Sequence, residues 1–211
     1  MAQENRRQST ARLSLTLAPG MPEHLSCLFP LLQQGFNVRA RVGCGIRELL
    51  CSQFGIDPDY LKQRITTIFL NSKPVDDSDA TRVADGATLA LSAAMPGLVG
   101  ATMRRGGYYA AMRGGITHHE SSAGAEEKYG EIRIKLFNLL MAELGPGFLQ
   151  QGIIVSTAAL ANFLAKQASD FWEGWSEIRL NGEPVAVGLL KNGAWIAHGE
   201  ESVELSVLFE E

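Results

Sequence analysis

The sequence has few of the residues that mark specialised classes of protein. Its 211 residues include only three cysteines, an odd and sparse set that does not make a disulfide framework. The net charge is −4, so the chain lacks the overall positive charge of general nucleic-acid or membrane-surface binders. The most apolar stretch, Leu89 to Met103, is too short to span a bilayer as a helix and contains Pro96. We therefore expect a cytoplasmic protein with no membrane association.

The overall composition is that of an ordinary globular protein. Apolar residues make up 45% of the chain and charged residues 20%, and the length fits one large or two small domains. A core can form without metals or disulfides, and we expect no cofactor. The first ten residues are polar and no apolar segment follows them, which predicts a flexible tail over residues 1–11 and no signal peptide.

An internal repeat is the most informative pattern in the chain. The segment Ile68–Val75 reads IFLNSKPV and the segment Ile178–Val185 reads IRLNGEPV. Each is a run typical of a strand, followed by asparagine with a small residue, then Pro-Val. Asparagine accepts the left-handed geometry of a tight turn, so both segments predict a hairpin at Asn71 and at Asn181. The two asparagines are 181 − 71 = 110 residues apart.

The sequence around the repeats predicts the same order, β-β-α-β-β, in both halves. Alternating apolar residues predict the outer strands, and a Gly- and Pro-containing loop precedes the second strand of each half. In the first half we expect strands at Arg12–Leu17, Phe36–Val42 and Thr88–Ser92 and a helix from Gly43 to Gly55. In the second half we expect strands at Ile132–Leu136, Gly152–Val155 and Val203–Phe209 and a helix from Ser156 or Thr157 carrying Leu160, Phe163 and Leu164.

Two further segments differ between the halves or separate them. Asn192-Gly193 predicts a type I′ turn between strands Val185–Leu190 and Ala194–Ala197 in the second half only. Residues Gly97 to Lys128 are rich in Gly, Ala and Ser, which favours a flexible linker. The predicted organisation is thus a first unit over residues 12–97, a Gly/Arg-rich linker over 98–128 and a second unit over 129–211.

The first half resembles the ThiS/MoaD sulfur-carrier branch of the β-grasp, ubiquitin-like superfamily. Three segments carry the resemblance: the hairpin Ile68–Val75, the aspartate-glycine and last strand in Val83–Leu91, and the proline-containing Met95–Gly100. The second half keeps Leu180-Asn181-Gly182 but lacks the aspartate-glycine pair. The resemblance implies an α+β fold of two tandem β-grasp (ubiquitin-like) units, each a mixed sheet with one packed helix.

The same resemblance raises the hypothesis of a sulfur-carrier precursor. Carriers of this family end in a free Gly-Gly carboxylate that an E1-like enzyme adenylates. This sequence ends in Leu208-Phe209-Glu210-Glu211, but internal pairs occur at Gly106-Gly107 and Gly114-Gly115. Cleavage after one pair would free such a tail. A glycine-rich linker explains the same residues, and we favour that interpretation.

Basic residues in the predicted linker suggest a second hypothesis. Arg104, Arg105 and Arg113, with Tyr108 and Tyr109, have the chemistry to contact phosphates and stack on bases, or to bind a small ligand. Two Arg-Gly-Gly units on an acidic protein give little multivalency, so we do not expect appreciable nucleic-acid binding.

Two candidate reactive or metal-binding groups remain. Cys44, between two glycines at the predicted start of a helix, is a candidate reactive thiol because a helix N-terminus lowers a thiol pKa; a buried structural cysteine is the favoured alternative. The run His118-His119-Glu120 has metal-binding residue types, but adjacent ligands in a linker are a weak pattern, and we expect no metal.

No set of nucleophile, base and acid can be assembled from the sequence, so we expect no enzyme. We predict a non-enzymatic ubiquitin-like module that docks another protein through a sheet face or an exposed strand edge. An E1-like activating enzyme or a metabolic enzyme are the partners that the resemblance suggests. The sequence leaves the oligomeric state open.

Overall fold

The computed structural model describes residues 10–113, 115–118, 127–196 and 201–210. The chain forms two compact units. Unit A is the continuous segment Leu32–Phe148, and unit B combines the described residues of Met1–Leu31 and Leu149–Glu211. Unit A is therefore inserted into unit B, and the compact units differ in their bounds from the predicted ranges 12–97 and 129–211.

The fold is mixed α+β. The strands are β1 Ala11–Leu17, β2 Phe36–Val42, β3 Thr67–Leu70, β4 Lys73–Pro74, β5 Thr88–Ser92, β6 Lys128–Phe137, β7 Ile153–Ser156, β8 Trp175–Leu180, β9 Glu183–Pro184 and β10 Ser202–Phe209. The α-helices are α1 Phe29–Gln33, α2 Ile46–Glu48, α3 Pro58–Gln63, α4 Gly97–Met103, α5 Leu139–Gln151, α6 Thr157–Ala165, α7 Ser169–Glu173 and α8 Val187–Lys191. A 3₁₀ turn covers Pro22–Leu28, a π-helical turn Leu49–Gln53 and a second 3₁₀ turn Tyr108–Arg113. Within the described residues, no helix combines the length and apolar character needed to cross a membrane.

The strands of unit A lie in the order β4-β3-β5-β6-β2. β2 is antiparallel to β6, β6 is parallel to β5, and β5 is antiparallel to β3. One row across this sheet joins Phe36, Ile134, Leu89 and Leu70, all buried. Because successive side chains of a strand point to opposite faces, these residues define the inner face of the sheet. The apolar residues of the following helical segments, Ile46, Leu49, Leu50 and Leu61, are buried as well.

Unit B has the same pattern of pairings. Its strands lie in the order β7-β10-β1-β8-β9, with β10 antiparallel to β7 and parallel to β1, and β1 antiparallel to β8. Alternate residues of the two central strands are buried, among them Leu13, Leu15, Val203 and Leu205. Each unit thus has a parallel central pair flanked by antiparallel strands.

The predicted tandem arrangement is wrong in one respect, the unit to which two strands belong. β6 was expected to open the second half, but it lies in unit A between β5 and β2. β1 was expected to open the first half, but it lies in unit B between β10 and β8. Alternation identifies the buried face of a strand but carries no information about its neighbours, so the sequence pattern did not reveal these partners.

The two repeated segments form the same hairpin. β3 pairs with β4 and β8 with β9 in the same register, and each turn holds an asparagine with positive φ, 49° at Asn71 and 52° at Asn181. In both units this hairpin lies at one end of the strand order, with β4 or β9 as the outermost strand. The repeat therefore marks equivalent positions in the strand orders of the two units.

Two predictions in the second half are wrong. Val187–Lys191 forms α8 rather than a strand, and Asn192 is its C-cap, followed by Gly193 at φ 74°. An Asn-Gly pair suits a helix C-terminus as well as a hairpin, because both need left-handed backbone. The loop expected after the strand at Ile132–Leu136 contains instead the helix α5, which continues through Pro146 and buries Leu140 and Phe148.

The predicted linker has a different role. Residues 93–127 connect β5 to β6, which are parallel neighbours in one sheet. Parallel neighbours require a long crossover, because a short turn cannot reverse the chain twice. We call residues 93–127 the crossover. It belongs to unit A and does not join the two units.

Candidate functional site

In the first half of the crossover, the backbone at Gly100 lies unusually close to the backbone at Met95. α4 begins after Pro96, and a Cβ added at Gly100 would lie 1.8 Å from the carbonyl oxygen of Met95. Only glycine permits this approach. The 3₁₀ turn Tyr108–Arg113 then packs against α4. The described part of the crossover therefore contains two short helical elements that pack together.

Arg113 holds these elements together from inside. Its side chain is 2% exposed, and its Nη2 donates to Asp76 Oδ1 at 2.6 Å. Nε donates to the carbonyl of Thr102 at 2.6 Å and Nη1 to Thr117 Oγ1 at 2.9 Å. A buried guanidinium is tolerated only when a carboxylate and further acceptors satisfy it, and Arg113 meets that condition.

Arg105 fixes the crossover to the helical layer of unit A. Its backbone N–H donates to Thr66 O at 2.9 Å, and its Nη2 donates to the carbonyls of Leu61 at 2.8 Å and Ile65 at 2.7 Å. Loss of hydration on burial lowers the pKa of Arg105 from its ordinary value. The guanidinium therefore satisfies carbonyl groups around the C-terminal end of α3, as basic side chains commonly do.

Two of the three arginines of the predicted basic patch lie together, because Arg104 and Arg105 line one pocket with Arg47, whereas Arg113 is buried. Arg105 and Arg113 donate hydrogen bonds to protein acceptors, and only Arg104 of the three is exposed. Of the glycines considered for processing, Gly106 and Gly115 are exposed and Gly107 is half-buried, whereas Gly114 lies outside the described residues.

The described part of the crossover carries six large exposed apolar residues. We call this group the crossover surface: Leu98, Val99, Tyr108, Tyr109, Met112 and Ile116. Tyr108 is 93% exposed and Met112 is 72% exposed. No Asp or Glu occurs between Asp85 and Glu120, so this surface is free of acidic side chains from its own segment. Exposed apolar groups this close together in the chain are typical of interaction sites.

The hairpin edge of each sheet is poorly suited to strand addition. β4 and β9 have two residues each, and each contains a proline, Pro74 or Pro184. Proline has no N–H to donate to an incoming strand, and short edges resist pairing. At β4 the crossover also occupies an acceptor, since the His118 N–H donates to Pro74 O at 2.9 Å.

A pocket lies on the outer face of the unit A sheet. On β5, Ala90 pairs with Phe69 on one side and Lys135 on the other, and Ser92 pairs with Phe137. Two small residues between larger ones leave a trough of about 470 Å³. Its walls also include Ser72, Thr88, Met95, Pro96 and Asn138. We call it the sheet pocket.

The structure does not favour a reactive thiol at Cys44. The side chain is buried and its Sγ–H donates to Arg41 O at 3.2 Å. Burial raises the pKa of Cys44 from its ordinary value, with the charge of Glu48 adding to the increase. Burial also raises the pKa of Cys51, and that of Cys27 to about 12. The expected effect of the helix N-terminus is therefore smaller than the cost of desolvating a thiolate.

The remaining sequence candidates lie apart from these sites. Of the run His118-His119-Glu120, only His118 is described, and among the described residues no group of three or more His, Cys, Asp or Glu is placed to hold a metal. In unit B, His24 is half-buried. Its ring lies 5.0 Å from that of Trp175, and its Nε2 donates to Phe171 O at 2.8 Å. This arrangement is an aromatic core contact.

Comparison with known proteins gives no relative. No protein-family model, curated protein or solved structure matches the chain.

Proposed function

We propose that this chain is a non-enzymatic, ubiquitin-like protein-interaction module that docks another protein through the crossover surface. The observation that carries the proposal is the set of exposed apolar side chains held on a crossover that is itself anchored from within. Apolar residues that remain exposed on an internally fixed segment favour recognition by a partner over a contribution to the core.

The β-grasp assignment is supported by the order of the strands. In each unit a parallel central pair is flanked by antiparallel strands, and a short hairpin forms one side. This is the sheet order of ubiquitin-like proteins. The chain enters the two sheets differently, so each unit would be a rearranged β-grasp rather than a simple tandem copy. Fold alone does not assign a function, so the surface chemistry decides the proposal.

The residue types of the crossover surface match those of protein interfaces. Tyrosine, methionine and arginine are enriched at interfaces, and lysine, glutamate and aspartate are depleted. Tyr108, Tyr109 and Met112 are exposed here, Arg104 is the neighbouring exposed cation, and no acidic residue occurs between Asp85 and Glu120. We infer a partner surface that is apolar at its centre and carries a carboxylate opposite Arg104.

The anchors give the surface a fixed geometry. Arg113 binds Asp76 and Thr102, and Arg105 binds Leu61 and Ile65. A surface that is ordered before binding loses less conformational entropy on association. The hairpin edges are short and contain proline, so addition of a partner strand is the less favoured mode at β4 and β9.

The carrier-precursor alternative is less favoured. A carrier needs a slim, free tail ending in Gly-Gly, but Arg105, just before Gly106-Gly107, is bound to the carbonyls of Leu61 and Ile65. Cleavage there would also separate β6 from the rest of unit A, in which β6 is a central strand.

Site-specific photocrosslinking tests the proposal. A benzophenone amino acid replaces Tyr108 in one variant and Tyr129 in another, in the cell that makes the protein. Tyr129 is a matched control because it is 84% exposed in the same unit. We expect one recurrent protein adduct from position 108 and none from position 129.

The partner identified in this way is then purified for binding measurements. Met112→Asp should weaken its binding at least about tenfold, because a charge in a desolvated interface costs more than 1.4 kcal/mol. Tyr129→Asp should leave the affinity unchanged. Equal adducts at both positions, or equal loss in both variants, would refute docking through the crossover surface.

A further inference from the structure

We propose that the sheet pocket of unit A is a binding site for a small apolar monocarboxylate. In this assignment the hydrocarbon body of the ligand lies in the trough, and its carboxylate pairs with Lys135. The site is separate from the crossover surface, and the inference does not depend on the proposed protein partner.

The trough follows from the pairing of side chains on the outer face. Phe69, Ala90 and Lys135 lie in one row across three strands, and Ser92 and Phe137 lie in the next. Alanine and serine on the central strand leave the space that larger side chains would fill. The volume of about 470 Å³ is within the range of small-ligand sites.

The lining is apolar on most of its sides. Phe69, Ala90, Met95, Pro96 and Phe137 supply apolar contacts. Phe137 is 44% exposed, so its ring is available to a ligand. Water in such a trough gains few hydrogen bonds, and an apolar ligand body that displaces it is favoured.

Lys135 sets the charge of the ligand. It is the only ionisable residue in the lining, and no ion pair is found for it among the described residues. Its Cγ lies beside Gly35, where an added Cβ would be 2.9 Å from Lys135 Cγ and 2.9 Å from Arg133 Nε. An ammonium group beside an apolar trough favours an anion, because a charged partner offsets its lost hydration.

The neutral polar groups around the pocket fit the same ligand class. The side-chain amide of Asn138 makes a hydrogen bond within the protein, because its Nδ2 donates to Ala94 O at 2.7 Å. The hydroxyl groups of Ser72 and Thr88 line the pocket and are chemically able to donate to a carboxylate. One cation with a few hydroxyl groups suits a single carboxylate, whereas a phosphate would require more cations or backbone N–H groups.

Titration of the full chain with octanoate tests the proposal. Binding is measured by NMR chemical shifts and by calorimetry. Octanamide serves as the uncharged ligand of equal length. We expect octanoate to bind the wild type with shifts confined to β3, β5 and β6 and to the neighbouring lining residues Ser72, Met95 and Asn138. Lys135→Gln should weaken octanoate about tenfold while leaving octanamide unchanged, because only the acid loses a charged partner.

Two further variants complete the test. Ala90→Phe fills the trough and should abolish binding of both ligands, and Lys62→Gln removes a lysine outside the pocket and should change neither. Lys135→Gln is a surface change that preserves the fold, so it decides the question even if Ala90→Phe does not fold. Absence of octanoate binding, or equal binding of octanoate to wild type and Lys135→Gln, would overturn the assignment.

Discussion

Asn71, in the turn between β3 and β4, and Thr88, the first residue of β5, are joined by two hydrogen bonds. The Asn71 N–H donates to Thr88 O at 2.9 Å, and the Thr88 N–H donates to Asn71 Oδ1 at 2.9 Å. Asn181 makes the same pair of bonds with Arg12, at 2.7 Å and 2.9 Å. Thr88 is 17 residues from its asparagine, whereas Arg12 is 169 residues away. In unit B the position of β5 is therefore filled by β1, a strand from the far end of the chain.

These paired hydrogen bonds predict the effect of replacing either asparagine. Asn71→Ala and Asn181→Ala each remove a side-chain acceptor and place alanine at positive φ, and each should cost about 1–3 kcal/mol. Hydrogen exchange should speed up at the Thr88 amide in the first variant and at the Arg12 amide in the second. Asn→Asp retains the acceptor and serves as the control. Faster exchange at both amides in either single variant would contradict the independence of the two pairs of hydrogen bonds.

A second prediction concerns the buried guanidinium of Arg113. Arg113→Ala removes its bonds to Asp76, Thr102 and Thr117 and should release the crossover. We expect trypsin to cleave after Arg104 or Arg105 much faster in this variant, because a protease requires locally unfolded chain. Arg104→Gln, an exposed change, should leave the rate at Arg105 unchanged. Rapid cleavage at Arg105 in the wild type would show that the crossover is not anchored.

The third prediction is a dependence of stability on pH. Glu143 accepts hydrogen bonds from Arg64 and Tyr60, and these lower its pKa from 4.5 to about 2. A carboxyl group whose pKa is lowered by folding stabilises the native state above its unfolded pKa. This contribution is lost as the pH falls from about 4.5 towards about 2.

Glu143→Gln separates this effect from the general acid sensitivity of the chain. Urea unfolding at pH 7 and at pH 3 should show a larger loss of stability in the wild type than in the variant. Glu177→Gln is the comparison variant, because it removes a carboxylate that pairs with Arg179 in unit B and leaves the Glu143 cluster intact. An equal loss in wild type and Glu143→Gln would refute the contribution of this cluster.

Local patterns in the sequence identified much of the secondary structure. Alternating leucines located β1. The repeated segments Ile68–Val75 and Ile178–Val185 located both hairpins, because turn chemistry depends on adjacent residues. The same reasoning failed at Asn192-Gly193, where the pair ends a helix. It also failed at Gly145-Pro146-Gly147, where burial of Leu140 and Phe148 outweighs the poor helix propensity of the segment.

The candidate sites were less accessible from the sequence. Arginine at 105 and 113 suggested a phosphate-binding patch, but both guanidinium groups bind protein acceptors that are distant in the chain. The sheet pocket arises from Phe69, Ala90 and Lys135, which lie on three strands. The alternation of small and apolar residues in β5 was a visible signal, but its meaning depended on the neighbouring strands.

The sequence by itself determined where both repeated hairpins and most of the strands form, which faces are apolar, and that the chain is a mixed α+β protein. These properties depend on side-chain periodicity and on backbone preferences over a few residues. Only the tertiary structure decided that β6 completes unit A, that β1 completes unit B, and that the glycine-rich segment crosses between parallel strands. Strand partners are selected by the packing of whole faces and by the connection that parallel neighbours require. That information is distributed over residues that are distant in the chain, such as Arg12 and Asn181, which are 169 apart.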